Sequence, residues 1–156
     1  HFPPKLFTKT FDMLNEAKFP ITVHAGEWDG PESILDAIKL LHPTRLGHGV
    51  RSIEEPALVE QIKELDIVLE TCPTSNVATK IYKDYQDHPV KKLFDQGVKI
   101  TVNSDDPPFF NASIAGEYNV MRTLGLSDNE LKSLTRNAIE YAFCDKNTKL
   151  KLLDKI

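Results

Sequence analysis

Five side chains in this sequence, His24, Glu27, His48, Asp105 and Asp106, are of types that bind divalent ions and move protons near neutral pH. The stretch Thr22-Val23-His24-Ala25-Gly26-Glu27 sets an imidazole at the end of a short apolar run. A carboxylate follows three positions on, across a glycine. Neutral imidazole and carboxylate suit a hard or borderline divalent ion, so His24 and Asp105 are the natural ligand pair. Such an ion lowers the pKa of its bound water to about 7, and the chemistry it would support is hydrolytic. His48 would orient that water or shuttle its proton. Glu27 would protonate a ring nitrogen or a leaving group if a dry pocket raises its pKa. Asp106, beside a ligand but facing elsewhere, would hold the substrate. Each residue alone also reads as an ordinary hydrogen-bonded loop group, so the case depends on whether the fold gathers them.

The elements that must do the gathering are legible as alternating strands and helices. An amphipathic helix is predicted over 5–18, then a strand Ile21–His24 and a helix Pro31–Leu41, with proline at a first helical position. A second strand, Arg45–His48, precedes a helix from Pro56. A third, Ile67–Cys72, is stopped by Pro73, and a polar loop over 74–86 leads to a short helix near His88-Pro89, closed by Gly97. The fourth strand, Val98–Val102, runs into Asn103-Ser104-Asp105-Asp106. Three helical stretches complete the chain: Ser113–Leu124, one opened by a Ser127/Glu130 capping box and reaching Phe143, and one capped by Asp145. Strand–helix alternation implies a parallel α/β sheet in one domain. In such folds the strands deliver functional groups at their C-terminal ends, which is where His24, His48 and Asp105-Asp106 stand.

Composition bounds the function classes. The chain has 156 residues, 40% hydrophobic and 27% charged, and 19 basic against 23 acidic groups leave a net charge of −4. That balance argues against a nucleic-acid partner. No apolar run reaches membrane-spanning length and no signal-peptide pattern opens the chain, so the expected location is the cytoplasm. Cys72 and Cys144 read as free thiols, Cys72 as a buried strand-end group. His42 and His88 precede prolines and are expected to be exposed, and His1 would bind metal only by accident of a terminus. Phe109-Phe110 are expected to pack under the following helix rather than wall a ligand pocket. Ser75-Asn76 are expected to fix their loop through side-chain to backbone bonds. The opening His1-Phe2-Pro3-Pro4 has no initiator methionine and reads as a start inside something longer.

Four segments, Thr22–Glu27, Leu46-Gly47-His48-Gly49, Cys72-Pro73-Thr74-Ser75-Asn76 and Asn103-Ser104-Asp105-Asp106-Pro107, resemble in order and spacing those of the adenosine deaminase family. The resemblance covers essentially the whole chain. It implies the C-terminal half of a (β/α)8 barrel, with strands corresponding to barrel strands five to eight. It also implies a zinc-dependent hydrolase acting on C–N bonds of cyclic amidines, converting adenosine and water to inosine and ammonia. By the same resemblance His24 and Asp105 are zinc ligands, Glu27 the proton donor to purine N1, His48 the residue that positions the water, and Asp106 the partner of purine N7. The chain lacks the family's H-x-H motif and the glycine that helps hold the purine. The resemblance therefore implies one zinc ion with its remaining ligands in a missing N-terminal half, and a fragment inactive alone. A half-barrel is further expected to leave two open sheet edges, available for self-association, and an apolar inner face. The alternatives are a deaminase of adenine or another 6-aminopurine, and a non-catalytic protein that self-associates.

Overall fold

The computed structural model describes residues 3–156, so His1 lies outside the described residues. The first helical prediction divides in two: a 3-10 turn Pro4–Leu6 and the helix α1, Thr8–Glu16. Then come β1 (Thr22–Ala25), α2 (Pro31–Leu41), β2 (Arg45–His48), a 3-10 turn Val50–Glu54, α3 (Pro56–Glu64) and β3 (Val68–Thr71). The expected loop after Cys72 opens as a helix, α4 (Pro73–Ala78). Beyond it lie α5 (Val90–Asp95), β4 (Ile100–Val102), α6 (Pro107–Phe110), α7 (Ile114–Thr123), α8 (Asp128–Glu140) and α9 (Lys146–Leu153). Proline opens α2, α3 and α4 at the first helical turn, where its missing N–H has no intrahelical partner. The capping box at Ser127 and Glu130 and the Asp145 cap both form.

All four strands are parallel and lie in sequence order, β1-β2-β3-β4. Their two faces differ, because strand side chains alternate. Val23, Ala25, Leu46, Leu69, Ile100 and Val102 join the apolar cluster that includes Ile34 and Ile38 of α2, Leu58 and Ile62 of α3 and Leu93 of α5. Each large, fully buried aliphatic there contributes about 1.5–3 kcal/mol. The opposite face departs from expectation, since it is polar rather than apolar. Thr22 donates to Glu70 at 2.6 Å, and Arg45 pairs with the same carboxylate at 3.2 Å. These groups occupy the intervening positions of β1, β2 and β3, so the period of two that builds the core also builds a charged inner layer.

The sheet's edges are β1 and β4. At β4, Asn137 of α8 donates to the Ile100 carbonyl at 2.9 Å and takes up one edge group. At the N-terminal ends of the strands, Lys99 joins Asp66 and the Tyr141 hydroxyl, while the Arg45 guanidinium lies 3.6 Å from the Phe143 ring. The end of α8 and the turn after it thus close that side, and the opposite side is left for chemistry. None of the described helices is long and apolar enough to cross a membrane.

Candidate active site

His24 stands near the end of β1, opposite Gly47 of β2 in the parallel register. A Cβ at position 47 would sit 2.9 Å from His24 Nδ1 and 3.3 Å from Cγ and Cε1, so the glycine is what lets the imidazole lie against the neighbouring strand. Gly26 then adopts φ +70°, a left-handed turn that glycine enters without cost. Its N–H donates to Ser33 Oγ at 3.0 Å, and the turn brings Glu27 back over the strand ends. His48 and Asp105 also hold left-handed backbone, at φ 62° and 56°. Such conformations are unfavourable for non-glycine residues and tend to persist at functional sites.

These turns bring four of the five candidate side chains together. His48 Nε2 is 2.9 Å from His24 Nε2, 3.5 Å from Glu27 Oε2 and 3.9 Å from Asp105 Oδ2. His24 Nε2 lies 3.9 Å from Glu27 Oε2. The side chains are graded in exposure, from 1% for His48 through 14% for Glu27 and 23% for Asp105 to 69% for His24. Asp106 is not drawn into this cluster. It is exposed, stands at the start of α6, and among the described residues nothing hydrogen-bonds its carboxylate.

Burial sets the protonation preferences. It raises the Glu27 carboxyl above the usual range, with the Asp105 charge adding to the effect and His24 opposing it. Burial, then the neighbouring His24, lowers His48 to about 4, against the opposing pull of Asp105 and the Asn76 hydrogen bond. Burial therefore favours an uncharged inner imidazole beside a carboxyl that holds its proton more tightly than usual. The Cys72 thiol is buried and pushed well above the ordinary thiol range, which disfavours a thiolate.

The donor chemistry fits a borderline divalent ion: imidazole and carboxylate, with no lysine or arginine in the cluster. Two sets of candidate ligand atoms come within 4.8 Å of one another, His24 with Glu27 and His48, and His48 with Cys72 and Asp105. They share His48, and neither contains both His24 and Asp105. The pair singled out from sequence thus brackets His48 rather than touching.

Four residues depart from the sequence expectation. Ser75 and Asn76 bond across the site rather than along their own loop: Ser75 Oγ donates to Asp105 Oδ2 at 2.6 Å, and Asn76 Nδ2 donates to His48 Nδ1 at 3.1 Å and to Glu27 Oε1 at 3.4 Å. His88, expected to be exposed, is 98% buried behind Asn76, with its Nε2 3.1 Å from Asn76 Oδ1. Both ring nitrogens are satisfied there, since Nδ1 accepts from Val90 N–H at 3.1 Å, and that permits the burial. Phe109, expected to pack under a helix, is 84% exposed because α6 is a single turn standing off the core. His42 is exposed, as expected, and the two cysteines are free.

The sequence profile of the family described as Adenosine deaminase matches residues 1–156. The chain belongs to the adenosine deaminase family. It is 46% identical over 151 residues to an adenine deaminase of Rhizobium rhizogenes, covering 96% of this chain and 47% of that protein. An adenine deaminase from Arthrobacter aurescens superposes with a TM-score of 0.91 at 31% identity, over 97% of this chain and 47% of that one. An amidohydrolase from Burkhoderia ambifaria, solved with bound zinc, gives 0.87 at 30% identity over 97% and 43%. The chain spans about half the length of these family members, and its four parallel strands match about half of a TIM barrel.

Proposed function

We propose that these residues form one half of the active site of a hydrolytic deaminase acting at C6 of a 6-aminopurine, with adenine as the substrate. The convergence of His24, Glu27, His48 and Asp105 on one opening carries the reading. Sequence resemblance favours adenosine. The two adenine deaminases favour the free base, at identities of 46% and 31%, and we adopt that order.

His24 and Asp105 would hold zinc, which when bound supplies Lewis-acid activation of water. Catalytic zinc generally takes three protein ligands, so the remainder would come from residues outside this chain. The proton-handling roles fall to side chains present here. Glu27, whose burial favours the protonated form, donates to a ring nitrogen as the purine accepts water at C6. His48, neutral and almost fully buried, orients the water through Nε2. Ser75 donates to Asp105 Oδ2 and so aims the carboxylate. Asp106, exposed at the start of α6, would receive a purine nitrogen.

Steady-state kinetics of the complete protein on adenine and adenosine test the proposal. Ammonia release with a higher kcat/KM for adenine is expected. A preference for adenosine would overturn the substrate, and no turnover of either purine by zinc-loaded protein would overturn the reaction.

A further inference from the structure

The hydrogen bonds behind His48 form a chain whose direction is fixed at one end. Val90 N–H can only donate, and it donates to His88 Nδ1 at 3.1 Å. With Nδ1 occupied as acceptor, the ring proton of His88 sits on Nε2, which points at Asn76 Oδ1 at 3.1 Å. The amide oxygen is then spent on His88, and Nδ2 is what remains to face His48 Nδ1 at 3.1 Å. A reversed amide would set two donors head to head at His88. His48 Nδ1 must accept, so its proton resides on Nε2. The groups within reach of that nitrogen, His24 Nε2 at 2.9 Å, Glu27 Oε2 at 3.5 Å and Asp105 Oδ2 at 3.9 Å, are all able to accept. The open end of the chain accommodates the direction that the Val90 end fixes.

We infer that Asn76 and His88 are positioning residues that lock His48 as the Nε2–H tautomer, so that it faces the substrate as a hydrogen-bond donor. Both are almost completely buried, at 0% and 2% exposure, so water does not compete for these bonds. The second N–H of the Asn76 amide reaches Glu27 Oε1 at 3.4 Å. Oε1 is thereby held as an acceptor, and Oε2, the oxygen nearer both histidines, is the one left to carry a proton. One amide therefore sets the proton positions of both groups assigned to proton handling. A donating His48 orients water but does not take its proton.

The inference deepens the deaminase reading, on which only its kinetic arm rests. Long-range ¹H–¹⁵N correlation spectra of the imidazoles in the complete protein read the tautomer directly, whatever the reaction is. Asn76→Asp places an acceptor against His48 Nδ1, and the expected result is a proton on that nitrogen. It should come with a kcat loss of roughly 10–100-fold, the usual cost of losing such an orienting partner, and little change in KM. His88→Phe keeps the volume but removes the donor, and should lose the single tautomer. His88→Gln keeps a terminal N–H for Asn76 and should retain both the Nε2–H signature and most of kcat. Should His88→Phe not fold, Asn76→Asp and His88→Gln still carry the test, because they predict opposite ring states. An unchanged His48 spectrum in Asn76→Asp would overturn the inference, as would loss of the Nε2–H state in His88→Gln.

Discussion

Gly47→Ala separates the geometry of His24 from the stability of the fold. The added methyl would meet the imidazole at 2.9 Å, whereas ordinary contact begins at 3.4 Å, so the ring must retreat by about 0.5 Å. It can do so readily, because His24 is 69% exposed and no backbone atom is among the three nearest neighbours of the new Cβ. Gly47 does not adopt positive φ, so alanine meets no backbone strain and lowers the entropy of the unfolded chain by about 0.4–1 kcal/mol. The net change in stability should stay within about 1 kcal/mol, or about 2–4 °C in Tm. Catalysis should suffer far more. A displacement of about 1 Å in a reacting geometry costs on the order of 100-fold, so half of that should cost about 10-fold in kcat. Thermal melts by circular dichroism, zinc stoichiometry and turnover on adenine form the assay. Turnover within twofold of the parent at unchanged Tm would refute the idea that this glycine places the ring. A Tm loss of more than about 8 °C would show that the backbone, not the imidazole, yields.

Ser75→Ala removes the 2.6 Å bond to Asp105 Oδ2, a charge-assisted contact worth about 1.5–3 kcal/mol. Zinc affinity measured by chelator competition should fall roughly 10–100-fold, and an unchanged affinity would remove Asp105 from the ligand set. Glu27→Gln should lower kcat by roughly 100–10,000-fold while leaving zinc content intact. Because burial raises the Glu27 carboxyl, activity that needs its proton should decline as pH rises through that raised value, and the variant should not show that limb. Glu117 tests a different part of the molecule. Its carboxylate is fully buried, accepts from Thr74 N–H at 3.3 Å, and keeps Oε1 without a hydrogen-bond partner among the described residues. Its pKa is raised by burial, so the folded state binds the extra proton and stability falls as pH rises above 4.5 through the folded value. Glu117→Gln should therefore be more stable at pH 8 by about 1–3 kcal/mol, with the difference closing at pH 4, and equal Tm values at pH 8 would refute it.

The strands are legible in the sequence because each ends in a residue that breaks or bends the chain, and the parallel alternation then tells which end matters. His24, Glu27, His48 and Asp105 emerge from that one rule. The boundaries that differ do so for local reasons. Apolar pattern alone extends β4 back to Val98, yet its N–H bonds to Leu93 while Gly97 N–H bonds to Phe94, the pair of bonds that closes α5. Pro73 stops β3 as expected, and the same fixed φ that ends a strand also opens α4. The Thr22–Glu70–Arg45 layer is hidden in the sequence because a charged residue within a short strand looks like an exposed one until its partners on two other strands are in place.

Asn76 and His88 escape a sequence reading for a deeper reason. Nothing local reveals what they do, since the contacts that matter join residues 12, 28 and 49 positions apart and depend on which atom of each group is a donor. Their arrangement also shows how unevenly this half-site is finished. His48 and Glu27 are enclosed and tied to a chain of buried bonds that starts at a backbone N–H. His24 is two-thirds open, and its bonded contact is His48 itself. The two groups proposed to handle protons are thus preorganised within these residues alone, as catalysis requires of groups that must not reorient during reaction. Metal holding is not, because the two proposed ligands bracket His48 and leave at least one position to be supplied. On the inferred roles, the Nε2–H state of His48 would be set by the fold of this chain, whereas tight zinc binding would need ligands beyond His24 and Asp105.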